Sequence, residues 1–168
     1  FTSDYPYGTR EPYIDTEIKI LKNHFSEIKI ITNNTKSKTK QPVAKNIDVF
    51  RNSFELNFYE KLISLRYLFF KSFFKEIFLI KKLYKQPLEI VHLKTILVTM
   101  HTGFKVSKFI HKIIMKKNIS KSKLFICSFW NNNMAYGIAC FKKKNRDVIG
   151  VTRAHRWDIF FDGNKGSY

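Results

Sequence analysis

A chain of 168 residues with 44% hydrophobic content can bury a core of its own, which excludes a disordered tail. Its formal net charge of +18 at pH 7 favours acidic partners: nucleotides, nucleic acids or anionic membrane surfaces. The lysines are spread over almost every predicted element, and with abundant Asn, Ile and Phe they read, for roughly half of that charge, as compositional bias.

In chain order, Phe1-Thr2-Ser3 reads as the tail of a strand, followed by a turn at Pro6 and Gly8. Thr9 is the expected N-cap of a helix with Pro12 and the acids Glu11, Asp15 and Glu17 in its first turns. Ile14, Ile18 and Leu21 recur at helical spacing, and Phe25 extends the stripe. Residues 27–32 form the next strand, so the opening is strand, turn, helix, strand, the first unit of a parallel sheet. A helix amino terminus facing a turn with exposed backbone N–H groups is a ready phosphate site.

Residues 33–42 are a polar loop, expected to be mobile, and residues 46–50 a short strand. The loop has neither arginine nor an aromatic to stack on a base, which argues for a solvated segment over a nucleic-acid arm. Residues 57–85 form a long amphipathic helical pattern. One stripe is Leu62, Leu65, Phe69, Phe73 and Ile80, widened by Ile63, Tyr67, Phe70, Phe74 and Phe78. Lys61, Lys71, Lys75 and Lys82 lie away from its centre. Two readings stay open: a helix lying in a membrane interface, or one packed on a sheet, with the breadth of the apolar face favouring burial of at least half of it.

A second helix is predicted from about Leu93 to Lys117, with Ile96, Val106, Phe109, Ile110, Ile113 and Ile114 inward and Gly103 marking a kink or a close contact. His92, His101 and His111 are scattered along it without ligand spacing, so no metal is expected. Lys123 to Phe129 reads as a buried strand, and Trp130-Asn131-Asn132-Asn133 caps a helix from Met134 to Lys144 with Ile138 and Phe141 inward. Val148 to Thr152 is another buried strand, running into Arg153, His155, Arg156 and Asp158. Residues just past a strand's carboxyl end in an open α/β sheet are where ligands are held. Cys127 and Cys140 lack metal or redox spacing and read as buried free thiols of a reducing compartment. No secretory apolar region is visible, though a chain that starts inside a strand says nothing about a leader, and no apolar run approaches the ~20 residues of a membrane span.

Two segments carry a family resemblance. Tyr5-Pro6-Tyr7-Gly8, Glu11-Pro12-Tyr13-Ile14, Glu17-Ile18 and Leu21, with Phe129-Trp130 and Thr152-Arg153-Ala154-His155-Arg156-Trp157-Asp158, resemble the N-terminal half of family 4 glycosyltransferases. The likeness is strongest to bacterial enzymes of surface or capsular polysaccharide biosynthesis. The chain departs from the pattern at Thr9, where many members carry a second glycine.

The resemblance implies an α/β fold, a Rossmann-like parallel sheet with helices on both faces, as the single acceptor-side domain (1–168) of a GT-B enzyme. The element order predicts the strand order 3-2-1-4-5, with loops 4–10, 129–133 and 154–158 along one edge. The implied activity is transfer of a sugar from a nucleotide-diphosphate sugar to a saccharide or polyprenyl-linked saccharide, with retention and without a metal or other cofactor. The nucleotide-binding C-terminal domain would be absent, leaving an inactive fragment of a cytoplasmic hexosyltransferase. The charge and the basic amphipathic segment, independently of the resemblance, add the expectation of peripheral contact at the inner face of the plasma membrane.

By carry-over, His155 hydrogen-bonds the donor sugar or phosphate near the reacting carbon, and Gly8, Thr9 and Arg153 line the donor phosphate side. Tyr7, Arg10, Trp130 and Asp158 are acceptor candidates, Asp158 being also a partner for Arg153, whereas Trp157 reads as core packing. The rival reading is a basic, non-catalytic module binding RNA or an anionic membrane surface. A dinucleotide-dependent enzyme is disfavoured because the first loop lacks G-x-G-x-x-G.

Overall fold

The computed structural model describes residues 1–9, 11–33, 36–38, 40–83, 85, 87–117, 119 and 124–155. The chain is mixed α/β, and its contacts divide it into two compact units, Phe1–Phe54 and Glu55–Tyr168.

In the first unit, helix α1 (Pro12–Leu21) is followed by strands β1 (Ile28–Thr32) and β2 (Ile47–Arg51), which pair in parallel from Ile28 opposite Ile47 to Thr32 opposite Arg51. Thr2 pairs with Thr32, also in parallel, so the first residues lie on the side of β1 away from β2. That is the predicted adjacency of the first three strand segments. Ile14 and Ile18 of α1 are buried where the helical stripe places them, and the consecutive Ile30, Ile31 and Thr32 of β1 are all buried, so both faces of that strand end are covered. The helix ends at Leu21, earlier than Phe25 suggested. Phe25 lies in an exposed turn that Asn46 holds, its side-chain amide donating to the carbonyls of Lys22 and Phe25 at 3.0 and 3.1 Å. Nor is the polar loop free throughout. Gln41 N–H donates to the Pro6 carbonyl at 2.8 Å, and Arg51 donates to the Ser37 carbonyl at 2.5 Å.

The second unit starts with α2 (Phe58–Ser64), capped reciprocally by Asn57 and Glu60, then a 3-10 turn (Leu65–Phe69), α3 (Lys71–Phe78) and a π turn (Leu79–Leu83). The continuous helix read over 57–85 is therefore broken, at an extended Phe70 with φ −91° and ψ 136°. Packing explains the break. Tyr67, Phe73 and Ile80 are all buried in one cluster with Ile96, Leu97 and Met100. On an unbroken helix, positions six apart such as 67 and 73 would point about 120° apart. The extended residue resets the phase, so that both rings reach the same core. Consequently Leu62, Leu65 and Phe69 of the predicted inward stripe face solvent, Phe69 at 87% exposure.

Helix α4 (Ile90–Lys117) starts three residues before the predicted Leu93 and continues as a helix through Gly103 without a break. Ile96, Val106, Ile110 and Ile114 are buried as expected, while Phe109 and Ile113 are only half-buried. His101 is buried against the Tyr67 ring (centroids 5.8 Å apart) with Nδ1 lacking a hydrogen-bond partner; burial, then Arg66, holds its pKa below the ordinary histidine value. Strand β3 (Phe125–Ser128), helix α5 (Asn133–Lys144) and strand β4 (Ile149–Thr152) follow, with β3 and β4 parallel from Phe125 opposite Ile149 to Ser128 opposite Thr152. That is the predicted adjacency of the last two strands, and Asn132 caps α5 through Met134 N–H at 2.9 Å. Burial of these strands is a correction. Only Ile126 and Ser128 of β3 are buried, and β4 exposes Ile149 and Val151; among the described residues α5 is the helix packed on this strand pair. The cysteines Cys127 and Cys140 are free and half-buried, with burial pushing the Cys140 thiol up.

The glycine at 103 marks a close contact. Helices α4 and α5 approach so tightly that a Cβ at Gly103 would lie 2.2 Å from Tyr136 Cδ1, and one at Gly137 2.5 Å from Val106 Cβ and 2.9 Å from the Gly103 carbonyl. Gly137→Ala sets two effects against each other: about 1 kcal/mol gained in helix propensity and about 1–3 kcal/mol lost to overpacking. Because one clashing atom is backbone, the steric cost is expected in the upper part of that range, about 2–3 kcal/mol. A thermal melt should show a net loss of about 1–2 kcal/mol, and an unchanged or raised midpoint would refute the close approach.

Candidate functional site

The carboxyl ends of β3 and β4 gather three of the singled-out residues. Their ladder continues past the strands, Arg153 N–H donating to the Ser128 carbonyl at 2.9 Å. Beyond it, the Trp130 carbonyl accepts from the Ser128 hydroxyl at 2.7 Å and the Thr152 hydroxyl at 3.3 Å. This ties the loop after one strand to the end of the other. His155 then lies half-buried with Nε2 3.0 Å from the Phe129 carbonyl and its ring 4.5 Å from the Trp130 ring, tilted by 38°. A carbonyl oxygen only accepts, so Nε2 carries the proton, and in the neutral ring Nδ1 is the basic nitrogen. The exposed Arg153 holds its guanidinium carbon 5.2 Å above the centre of the buried Phe129 ring. An imidazole of fixed orientation, an indole face and a guanidinium thus stand within one loop pair. Together they offer a hydrogen-bonding and charged group for a phosphate or sugar hydroxyl and a flat apolar surface for a sugar ring. Arg156, Trp157 and Asp158 lie outside the described residues.

In the first unit, Tyr7, Gly8 and Thr9 share one loop. Gly8 has φ 72°, a left-handed conformation that favours glycine. Its carbonyl accepts from the Gln41 side chain at 3.2 Å. Tyr7 is buried, with the Arg51 guanidinium carbon 3.5 Å over its ring. Thr9 is exposed but does not cap the helix. The N-cap is Glu11, because Pro12 occupies the first helical position. Arg10 lies outside the described residues.

Glu11 does not act as a simple first-turn acid either. Its carboxylate, on a residue 3% exposed, turns back to accept from the backbone N–H groups of Ser3 at 3.1 Å, Asp4 at 2.7 Å and Tyr5 at 2.8 Å. Tyr7 N–H is taken by the Asp4 carbonyl at 2.7 Å. The amide groups of residues 3–5, which lead into the loop, are therefore occupied by the protein's own carboxylate, apart from the Gly8 and Thr9 positions expected on the phosphate side. Tyr5 is buried below, donating to Asp15 at 3.2 Å; burial first, then the Asp15 carboxylate, pushes its pKa up to about 12.

Gln41 and Arg51 escape a reading by motif. Glu11 stands in the family pattern and among the expected first-turn acids, and Pro12 at the first helical position makes it the N-cap, but its turn back onto residues 3–5 is not signalled. Gln41 and Arg51 come to the loop through strand pairing that no local pattern encodes. Among the described residues, no three of the His, Cys, Asp and Glu side chains gather to hold a metal ion. No protein-family model, curated protein or solved structure matches this chain.

Proposed function

We propose that the chain is the acceptor-side domain of a retaining, GT-B type glycosyltransferase of the family 4 kind, moving a sugar from a nucleotide-diphosphate donor to a saccharide or lipid-linked saccharide. The observation that supports this reading most is the array of Trp130, Arg153 and His155 at the carboxyl ends of two parallel strands. Ligands of α/β sheets bind at that end of the strands, and the array combines an aromatic surface with groups suited to phosphate and hydroxyls. The fold that goes with the reading is a Rossmann-like parallel sheet with helices on both faces, to which the described residues contribute two separate two-stranded parallel sheets. In it, His155 contacts the donor near the reacting carbon, Arg153 the donor phosphate and Trp130 the acceptor.

The test is an assay of the intact protein that carries this chain, with a panel of nucleotide sugars and saccharide or polyprenyl-linked acceptors. Transfer from at least one donor is the expected result. Absence of turnover, combined with RNA binding that falls steeply with salt, would replace the reading by that of a basic binding module.

A further inference from the structure

Eighteen large hydrophobic side chains are exposed among the described residues, and ten of them fall between Phe58 and Leu83. The segment also carries six cations, Lys61, Arg66, Lys71, Lys75, Lys81 and Lys82, all exposed, against two acids, Glu60 and Glu76. Glu60 is already engaged, pairing with Lys105 at 2.8 Å and accepting from Asn57 N–H at 3.0 Å. The exposed residues follow helical spacing. Phe58 and Leu62 lie one turn apart on α2, and Phe74 and Phe78 one turn apart on α3, turned away from the buried Phe73 and the half-buried Ile77. Both helices and the turn between them rest on α4, so what they direct away from α4 is the outer layer of this unit.

The geometry points to this layer, residues 58–83, as a docking surface for an anionic lipid bilayer. Lysines alternate with phenylalanines, and Lys82 Nζ stands 5.2 Å from the centre of the exposed Phe78 ring. A lysine can keep its ammonium among lipid headgroups while its stem and the neighbouring ring enter the acyl boundary. Protein interface cores, by contrast, are depleted in lysine. A second copy would bring the same six cations against each other. Nucleic acid is a poorer occupant, since Leu62, Ile63, Leu65 and Leu83 offer no face to stack on a base and arginine occurs once in the segment. No helix among the described residues is long and apolar enough to cross a membrane, so the contact is with the surface. The proposal goes beyond the glycosyl-transfer reading and does not rest on it.

Co-sedimentation of the 168-residue chain with vesicles tests it. The chain is expected to bind vesicles containing phosphatidylglycerol, to bind phosphatidylcholine alone far more weakly, and to release as salt is raised. Phe74→Ser with Phe78→Ser should weaken partitioning about tenfold for each ring removed, with an unchanged melting curve. Lys71→Glu with Lys75→Glu should remove the preference for the anionic lipid. A Phe69→Trp variant gives a second reading independent of those pairs: brominated phosphatidylglycerol should quench the added emission relative to the wild type. Failure to bind anionic vesicles, binding that survives both paired substitutions, or an unquenched tryptophan at 69 overturns the proposal. So does loss of self-association or of single-stranded RNA binding in the phenylalanine pair while vesicle binding persists.

Discussion

Replacing Glu11 with alanine is expected to destabilise the Phe1–Phe54 unit by about 3 kcal/mol, against about 1–2 kcal/mol for Glu11→Gln. Three backbone N–H groups end on this carboxylate at 2.7–3.1 Å, and the residue is nearly inaccessible to water. Hydrogen bonds to a charged acceptor contribute about 1.5–3 kcal/mol each, but removing them together is not additive. Ser3 and Asp4 are half-buried, so water recovers part of the loss at their amides, whereas the buried Tyr5 recovers little. Glutamine keeps one acceptor oxygen for two of the three donors and turns an amide NH₂ towards the third. Urea unfolding of the three proteins should therefore rank wild type, glutamine, alanine. Amide exchange at Ser3, Asp4 and Tyr5 should accelerate in the same order. Equal stability of the alanine variant and the wild type would mean that the turn holds without its anion.

The consequence for function is that the loop bearing Tyr7, Gly8 and Thr9 is set by an internal charge. A glutamate that occupies the amide groups of residues 3–5 fixes where the chain leaves the first strand segment. It also fixes how far Gly8 stands from the helix. Donor binding in the intact protein is expected to weaken with Glu11→Gln even though Glu11 itself touches no ligand in this reading.

How much of this was legible depended on whether a signal was local. Parallel pairing of residues 125–128 with 149–152 follows from two short apolar runs separated by a helical pattern, whereas residues 28–32 and 47–51 are separated by a polar loop and their pairing is expected from the sheet order alone. Asn132 announces the start of α5, and Gly103 its close contact with that helix, because both act on immediate neighbours in sequence or on one helix face. The break at Phe70 left no such mark: no proline, glycine or side-chain cap is present, and the phase change is imposed by Tyr67 and Phe73 reaching one core. Apolar runs also misled about depth. Residues 148–152 read as buried, yet only Val148 is, since a run of β-branched residues does not reveal whether both faces of a sheet are covered. At the candidate site, Arg153 and His155 were visible from their place after a strand. The way His155 is held, by the Phe129 carbonyl and the Trp130 ring, depends on a partner strand 26 residues earlier for that carbonyl.

Removing that imidazole gives the other large effect. His155→Ala in the intact protein is expected to lower sugar transfer about 10²–10³-fold, the range for loss of one positioned hydrogen-bonding group in a transition state. The structural cost should be small: one hydrogen bond to a backbone carbonyl and a ring contact at a half-buried position, about 1 kcal/mol. The two quantities separate the roles. If His155 acts on the donor, kcat falls while the melting curve moves little, and His155→Gln, which can still donate to the Phe129 carbonyl, remains impaired. If the residue only holds the two loops together, glutamine restores turnover and alanine lowers stability and activity in step. Trp130→Ala supplies the complementary reading. Loss of an aromatic platform should raise KM for the acceptor by about tenfold, a worth of about 1.4 kcal/mol, with kcat nearly preserved. A folded His155→Ala protein with wild-type turnover would remove the imidazole from the chemistry and leave the loop pair as scaffold.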